Sequence, residues 1–339
     1  DAPGGASRRR AGVEDVQFAF TDDQLAFRDA VRDALAASCD RAGLRAASES
    51  AQGRTAKAWA ALADMGVLDA LRAERDGGLG LGEVDVIAVL EETGRCALPE
   101  PIVDTLLVGV PLGVVDAPTS VSVVAPESPL GVWTDTADAV VTLAADGMRV
   151  YPRADVVLHA RPSVDPARRL FEIDAGSERP PDRPLGDVVL AFRRMVLGTA
   201  AQLCGLADTM ITMTVEYAAD RHQFGVPIGS FQAVKHHLAD ARTILEFARP
   251  LVYRAAASMA IRDRDAGLHV GMAKAATSDA ASVAARAALQ CHGAIGYTTE
   301  HDLHLFMKRA WALSAAWGDA RWHRARIADT LMAPEGTRA

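Results

Sequence analysis

The sequence predicts a mainly α-helical protein in which a small β module separates two helical parts, and three observations carry that prediction. Half of the 339 residues are hydrophobic, yet only 5% are aromatic, a composition suited to Ala-rich, closely spaced helices. Apolar residues recur at intervals of three and four in the early and late parts of the chain. Short β-prone runs separated by turn residues are confined to the middle. The expected layout is a disordered leader over 1–18, an N-terminal helical domain over 19–118, a small β domain over 119–187 and a C-terminal helical bundle over 188–335.

The elements follow in order. Thr21-Asp22-Asp23-Gln24 offers a helix N-cap, with Leu25, Val31 and Leu35 as apolar positions behind it. Further helices are expected near 57–72, 83–94 and 101–114. The run Asp76-Gly77-Gly78-Leu79-Gly80-Leu81-Gly82 separates them, as does Ala97-Leu98-Pro99-Glu100-Pro101. After Pro118 the residues Val121, Val123 and Val124, then Ala139–Leu143, Met148–Tyr151 and Val156–Leu158, read as strands. A module of about 70 residues is too small for a large core of its own, so it should lean on the helices. From Val188 the pattern is helical again. Val234, Leu238, Ala241, Leu245, Ala248 and Val252 form a bundle-like seam, in which Pro250 is expected to produce a kink. Small residues dominate 272–289 and allow helices to approach closely.

Charge and motif content narrow the function. With 36 Lys and Arg against 44 Asp and Glu the formal net charge is −8, and no basic stripe marks a nucleic-acid binder. No run of 18 apolar residues predicts a membrane span. The leader lacks the apolar core of a signal peptide. Cys39, Cys96, Cys204 and Cys291 are scattered without paired spacing, which fits a reducing cytoplasm. The glycines of 77–82 lack the spacing of a phosphate turn. His301 and His304 lie three apart without a further ligand pair, so no metal is expected.

Two corners hold more chemistry. In the first, a helix ends at Arg221, and Gly225, Pro227 and Gly229 make a turn before Phe231-Gln232 starts the next helix. This gathers a guanidinium, the Gln223 amide and free backbone N–H groups, a set suited to a diphosphate. In the second, Gln290-Cys291-His292-Gly293-Ala294-Ile295-Gly296 stops an Ala-rich helix, and its glycines permit close backbone approach. Each alone reads as an ordinary helical corner.

Together, in this order and about 55 residues apart, the two corners resemble the signatures of the acyl-CoA dehydrogenase family. The resemblance extends from Thr21 to Asp329 and matches the helix, β module, helix order. It implies FAD as cofactor, bound across a subunit interface, with Arg221, Gln223, Phe224, Gln232, Gln290, Gly293 and Gly296 contacting its adenine and diphosphate half. It further implies an acyl-CoA or acyl-carrier thioester as substrate, a homologous subunit as partner, and an electron acceptor such as an electron-transfer flavoprotein. In the family's α,β-dehydrogenation a carboxylate removes the α-proton while a hydride leaves the β-carbon.

The sequence departs from the family at the base. Counted from Lys308-Arg309-Ala310, Trp317 stands where many members carry glutamate. The alternative position, on the helix before Arg221, falls near Met195, in a stretch with no Asp or Glu between Asp187 and Asp208. Asp319 is the remaining candidate catalytic residue, although its place just after the Gly318 break favours an N-cap. Glu246 and Glu300 read as facing solvent or an interface. The middle module lacks the family's Gly-Ser-Asp stretch. Ser163–Leu170 instead resembles short actinobacterial-type members, some of which act on steroid or other bulky acyl-CoAs as α2β2 heteromers. Three readings therefore stand open. The chain is a dehydrogenase of a bulky acyl thioester, alone or in a heteromer; or a non-catalytic partner subunit; or a flavin oxidase or monooxygenase on the same fold.

Overall fold

The computed structural model describes residues 19–126, 128–144, 146–174 and 187–332; the expected leader and the Pro180–Pro184 run lie outside them. Thr21 opens helix α1 (Asp22–Ser38) with a capping box, its hydroxyl accepting from Gln24 N at 3.2 Å while Gln24 Oε1 accepts from Thr21 N at 2.9 Å. Asp40 caps a second helix, α2 (Arg41–Glu49), through Gly43 N. Only Leu44 and Ala47 of that helix are buried, too sparse a pattern to be read from sequence. Helix α3 (Ala56–Asp64) is shorter than expected, because Gly66 turns the chain at φ +73°. Helix α4 (Glu83–Arg95) follows, and its Asp85 carboxylate accepts from Gly82 N. The helix expected over 101–114 is a single turn, α5 (Ile102–Asp104), that widens into a π-helical turn over Thr105–Gly109.

The β module consists of two three-stranded sheets. In one, β1 (Val121–Val124) runs parallel to β3 (Ala139–Ala144), which pairs antiparallel with β4 (Gly147–Pro152). In the other, β6 (Leu170–Asp174) lies between β2 (Leu130–Val132) and β5 (Val157–Arg161). The first sheet leans on the helices as its size requires: Val121, Val123, Val141 and Met148 belong to the same apolar core as α4 and the C-terminal helices.

That bundle is built from α6 (Val188–Asp220), α7 (Gln232–Ala260), α8 (Ala266–His292), α9 (Leu303–Ala315) and α10 (Ala320–Met332). Between α6 and α7 lies a two-residue hairpin, β7 (His222–Gln223) with β8 (Val226–Pro227). Helix α6 is long and apolar enough to cross a membrane by length and composition, but 67% of its most apolar window is buried inside the fold. Its apolarity is that of a core helix, packed against α4, α8 and α7. Its crossing with α4 brings backbone onto backbone: a Cβ on Gly205 would fall 2.1 Å from Glu91 O, and one on Gly94 would fall 2.2 Å from Gln202 O. Ala273, Ala280, Ala281, Ala284 and Ala288 are buried along α8, the close approach the small residues predicted. Of the α7 seam, Ala241, Leu245, Ala248 and Val252 are buried, while Val234 and Leu238 are only half-buried. The helix continues through Pro250 without a break.

Polar ties lock these parts together. Glu91 and Glu92 on α4 are buried and are met by Arg32 of α1, by Arg249 of α7 and by the Tyr253 hydroxyl. Arg309 of α9 pairs with Asp165 of the β module, both buried, and donates to the Ala97 and Leu98 carbonyls at 2.9 and 2.8 Å. Removing one partner of such a pair strands a charge.

Candidate active site

Where the three parts meet, the fold encloses a cavity of about 470 Å³. The segment before α5 contributes Glu100, α5 itself Asp104, the β module Trp133 and Arg168, α6 Phe192 and Met195, and the α9–α10 corner Trp317 and Gly318. Both positions at which a base was sought therefore face one space, and their side chains are an indole and a thioether. The geometry thus aligns Trp317 with Met195, although they lie 122 positions apart in the chain.

The corner that presents Trp317 is held from behind. Trp317 has φ +59° and Gly318 φ +90°, a conformation costly for tryptophan and natural for glycine. Lys274, fully buried on α8, donates to the Ser314 and Gly318 carbonyls at 3.0 Å each and to Ser278 Oγ at 3.2 Å. His323 Nε2 donates to the Trp317 carbonyl at 3.0 Å. Burial pushes Lys274 down to about 7, with Asp319 nearby opposing the shift. Burial and the adjacent Lys274 push His323 down to about 4, so it is a neutral donor at neutral pH. Phe192 meets Trp317 edge-on with ring centres 5.8 Å apart and Trp322 at 5.9 Å.

Asp319 does not join this wall. It is exposed, and its Oδ1 accepts from Trp322 N at 2.7 Å while its carbonyl accepts from His323 N. It caps α10, and the turn after Gly318 points it away from the cavity lining rather than into it. Of its two readings, this geometry is that of the cap. Glu246 pairs with Arg242 and Arg249 on the surface of α7, and Glu300 is exposed. Two carboxyls that the sequence did not single out do face the cavity. Glu100 is tied down, accepting from Arg54 at 2.6 Å and from Thr55 N at 2.5 Å; burial raises its pKa, against the pull of Arg54. Asp104 accepts from Val123 N at 2.8 Å, and burial raises its carboxyl to about 7. It stands alone in the apolar run Pro101-Ile102-Val103-Asp104-Thr105-Leu106-Leu107, the one signal that could have revealed it. Lys274 gave a similar signal, a lone charge in the run Gly271-Met272-Ala273-Lys274-Ala275-Ala276-Thr277.

A second cavity, of about 400 Å³, shares Pro126, Phe192 and Trp322 with the first and opens between α6, α8 and α10. Arg193, Arg264 and Arg326 line it against a single carboxylate, Asp265.

The two motif corners lie on the outside. Arg221 ends α6, Phe224 and Gly225 turn the hairpin at φ +55° and +82°, and Gln232 begins α7. Arg221, Gln223, Gln232, Gln290 and Gly293 are exposed, as is Phe224 at 93%. Arg221 has no ion partner among the described residues. The Phe224 and Phe231 rings meet edge-on at 6.2 Å, and Gln223 Nε2 donates to His222 O at 2.8 Å. Gly296, by contrast, is buried; a Cβ there would sit 3.1 Å from His292 Cβ, so it packs the corner rather than facing outward. The corners are joined through Tyr217, one turn before Arg221, which stacks on His292 at 4.3 Å and meets His301 edge-on at 6.0 Å. His301 is thus part of an aromatic stack. No group of three His, Cys, Asp or Glu that would hold a metal occurs among the described residues.

Residues 21–114 match the acyl-CoA dehydrogenase N-terminal domain and residues 188–332 its C-terminal domain. The chain belongs to the acyl-CoA dehydrogenase family. It is similar to the acyl-CoA dehydrogenase IpdE2 of Mycobacterium tuberculosis, with 31% identity over 305 residues, 85% of this chain and 91% of that protein. Its fold matches the ChsE4-ChsE5 complex from Mycobacterium tuberculosis at a TM-score of 0.80 and 22% identity, covering 94% of this chain and 100% of that one. It also matches the Tcur3481-Tcur3483 steroid ACAD G363A variant at a TM-score of 0.79 and 22% identity, covering 91% and 97%. Acyl-CoA dehydrogenase family members are oxidoreductases that bind FAD. The outward donor set fits that cofactor: a free guanidinium and primary amides suit a diphosphate, and an exposed phenyl face suits an adenine.

Proposed function

We propose that this chain is a flavin-binding subunit of an acyl-CoA dehydrogenase-type heteromer acting on a bulky acyl-CoA. In this reading it lends its two corners to FAD shared with a homologous subunit, while its own cavity is not the place of α-proton removal. One observation carries the reading: Trp317 and Met195 close both base positions of the cavity, whereas Arg221, Phe224, Gln232 and Gln290 at the corners face outward. The ChsE4-ChsE5 complex is a two-component relative in fold, and the Tcur3481-Tcur3483 protein is a steroid ACAD. Both support, by likeness, a heteromer and a bulky acyl group here.

When bound, FAD supplies the two-electron acceptor for the hydride leaving the β-carbon. What this chain contributes is binding and enclosure. Arg221 neutralises diphosphate charge, the amides of Gln223, Gln232 and Gln290 orient it, and Phe224 covers an apolar face. Gly293 leaves space for a close backbone approach. The arginines of the second cavity suit the phosphates of CoA in a chain that is otherwise acidic, and the aromatic wall of Phe192, Trp317 and Trp322 excludes water from the acyl group. An electron-transfer flavoprotein as acceptor and a cytoplasmic setting, in line with four free thiols, complete the proposal.

Asp104 favours a second reading, in which this chain runs the chemistry with that carboxyl as base, since burial holds it near neutrality on the cavity wall. Expression with and without a homologous chain separates the two. The heteromer reading expects flavin-poor protein alone and a flavin-bound mixed oligomer on co-expression. A flavinated homo-oligomer that is reduced by an acyl-CoA, and no longer reduced in Asp104→Asn, would establish the second reading and end the first.

A further inference from the structure

Helices α1 and α4 run side by side in the same direction and are joined at three levels. At their starts Gln24 Nε2 donates to Asp85 Oδ1 at 2.7 Å. At mid-length the Arg32 guanidinium grips both oxygens of Glu92, at 2.9 and 2.7 Å. At their ends stand two cysteines, each the residue that closes its helix, Cys39 for α1 and Cys96 for α4. Their thiols hydrogen-bond to each other, and Cys39 Sγ lies 4.0 Å from the Cys96 carbonyl oxygen. Two sulfurs 57 positions apart in the chain thus meet, in a register that the two polar levels before them fix. The other two cysteines lie on other elements, Cys204 within α6 and Cys291 near the end of α8.

The two thiols are chemically unequal. The Cys96 S–H, with help from the field of Arg309, holds the Cys39 thiol below its ordinary value against the opposing effect of burial. The same hydrogen bond, together with burial, pushes Cys96 well up. Cys39 is therefore the thiolate of the pair and Cys96 keeps its proton, the roles of an attacking and a resolving sulfur. Cys39 is buried and Cys96 half-buried, so a reagent that reaches them must be small. We propose that Cys39 and Cys96 form a redox modification site, which a hydroperoxide converts to an intrachain disulfide and a thiol reductant reopens. The Cys39 thiolate attacks one peroxide oxygen and the O–O bond breaks. The other oxygen leaves as hydroxide, becomes water with the proton Cys39 had released, and Cys39 is left as a sulfenic acid. The Cys96 sulfur then attacks the Cys39 sulfur, the S–O bond breaks, and the hydroxyl departs as water with the Cys96 proton. Two thiols are oxidised by two electrons, and one hydrogen peroxide is reduced to two waters. The new bond closes the level nearest the inner cavity. The next residues, Ala97 and Leu98, supply the carbonyls that hold Arg309 on the cavity wall.

The full chain is purified under reductant, desalted, exposed to hydrogen peroxide in modest excess, and then alkylated and mapped by mass spectrometry. Two of the four thiols should escape alkylation, a linked Cys39–Cys96 peptide should appear, and dithiothreitol should restore all four. Cys39 should react at least about tenfold faster than Cys291, a half-buried thiol that burial pushes up. In Cys96→Ser the reaction should stop at the sulfenic acid, trapped on Cys39 by dimedone, with no linked peptide. In Cys39→Ser, Cys96 should stay alkylatable. The map of the parent chain decides the site by itself, so a variant that folds poorly leaves the test intact. Four alkylatable thiols after peroxide, earlier oxidation of Cys291, or links that join other cysteines or two chains would each overturn the proposal.

Discussion

The inner cavity and the outer corners use similar residues in opposite ways. At the cavity, charge is committed inward: Arg309 to Asp165, Glu100 to Arg54, Lys274 to carbonyls of the corner it supports. At the corners, Arg221 and the amides of Gln232 and Gln290 face outward, and Phe224 is almost entirely exposed. Buried groups of the first kind specify a shape and are costly to alter. Exposed groups of the second kind contribute little to folding and are retained at little stability cost for a ligand or a neighbouring chain. The comparison teaches that recognition and architecture are spatially divided in this chain. A substitution should damage one or the other, not both.

Variants can break that division. The largest effect is expected from Arg309→Met, which leaves Asp165 as an unpaired buried charge and frees two buried carbonyls. Denaturant unfolding should show a loss of about 3–5 kcal/mol. Arg221→Ala should lower the FAD content of the assembled protein by about tenfold, roughly 1.4 kcal/mol of binding, with an unfolding midpoint unchanged from the parent; a shifted midpoint would mean that the corner is architectural after all.

Lys274 sharpens the comparison through pH. Its folded-state pKa is pushed down from 10.5 to about 7, so between those values the unfolded chain binds more protons than the folded one. Stability contributed by this group therefore rises as pH increases from about 7 to about 10. Melting curves across that range should show the rise in the parent and a flatter profile in Lys274→Met. The smallest effect belongs to Asp319→Ala. As a cap it should cost about 1 kcal/mol and leave the turnover of the assembled enzyme untouched; loss of turnover without loss of stability would return Asp319 to the chemistry.

Much of the helical frame was legible because it rests on local rules. Thr21 and Gln24 form the cap their spacing suggests, and the seam of α7 buries Ala241, Leu245, Ala248 and Val252 as its period requires. The misses have local causes too. Gly66 ended a helix that propensity would have continued, and β2 has three residues, too few to alternate. The corners were legible as sequence because each is one continuous segment. The cavity was not, because its polar wall is assembled from Asp104, Arg168 and Trp317, residues that only the packed fold brings together. The cap and base readings of Asp319 differ by a single turn direction after Gly318, which no residue pattern specifies.

The support behind Trp317 has a consequence for how such a chain diverges. Lys274 and His323 take hold of the carbonyls of Ser314, Trp317 and Gly318, and of no side chain in that corner. The frame is therefore indifferent to what it displays at position 317. An ancestor could exchange glutamate for tryptophan there, or the reverse, without rebuilding the backbone, and two sister subunits could part ways in chemistry while staying superimposable. In that sense the corner is a socket with an interchangeable fitting, and Trp317→Glu is the shortest route by which this corner would present a carboxylate to the cavity.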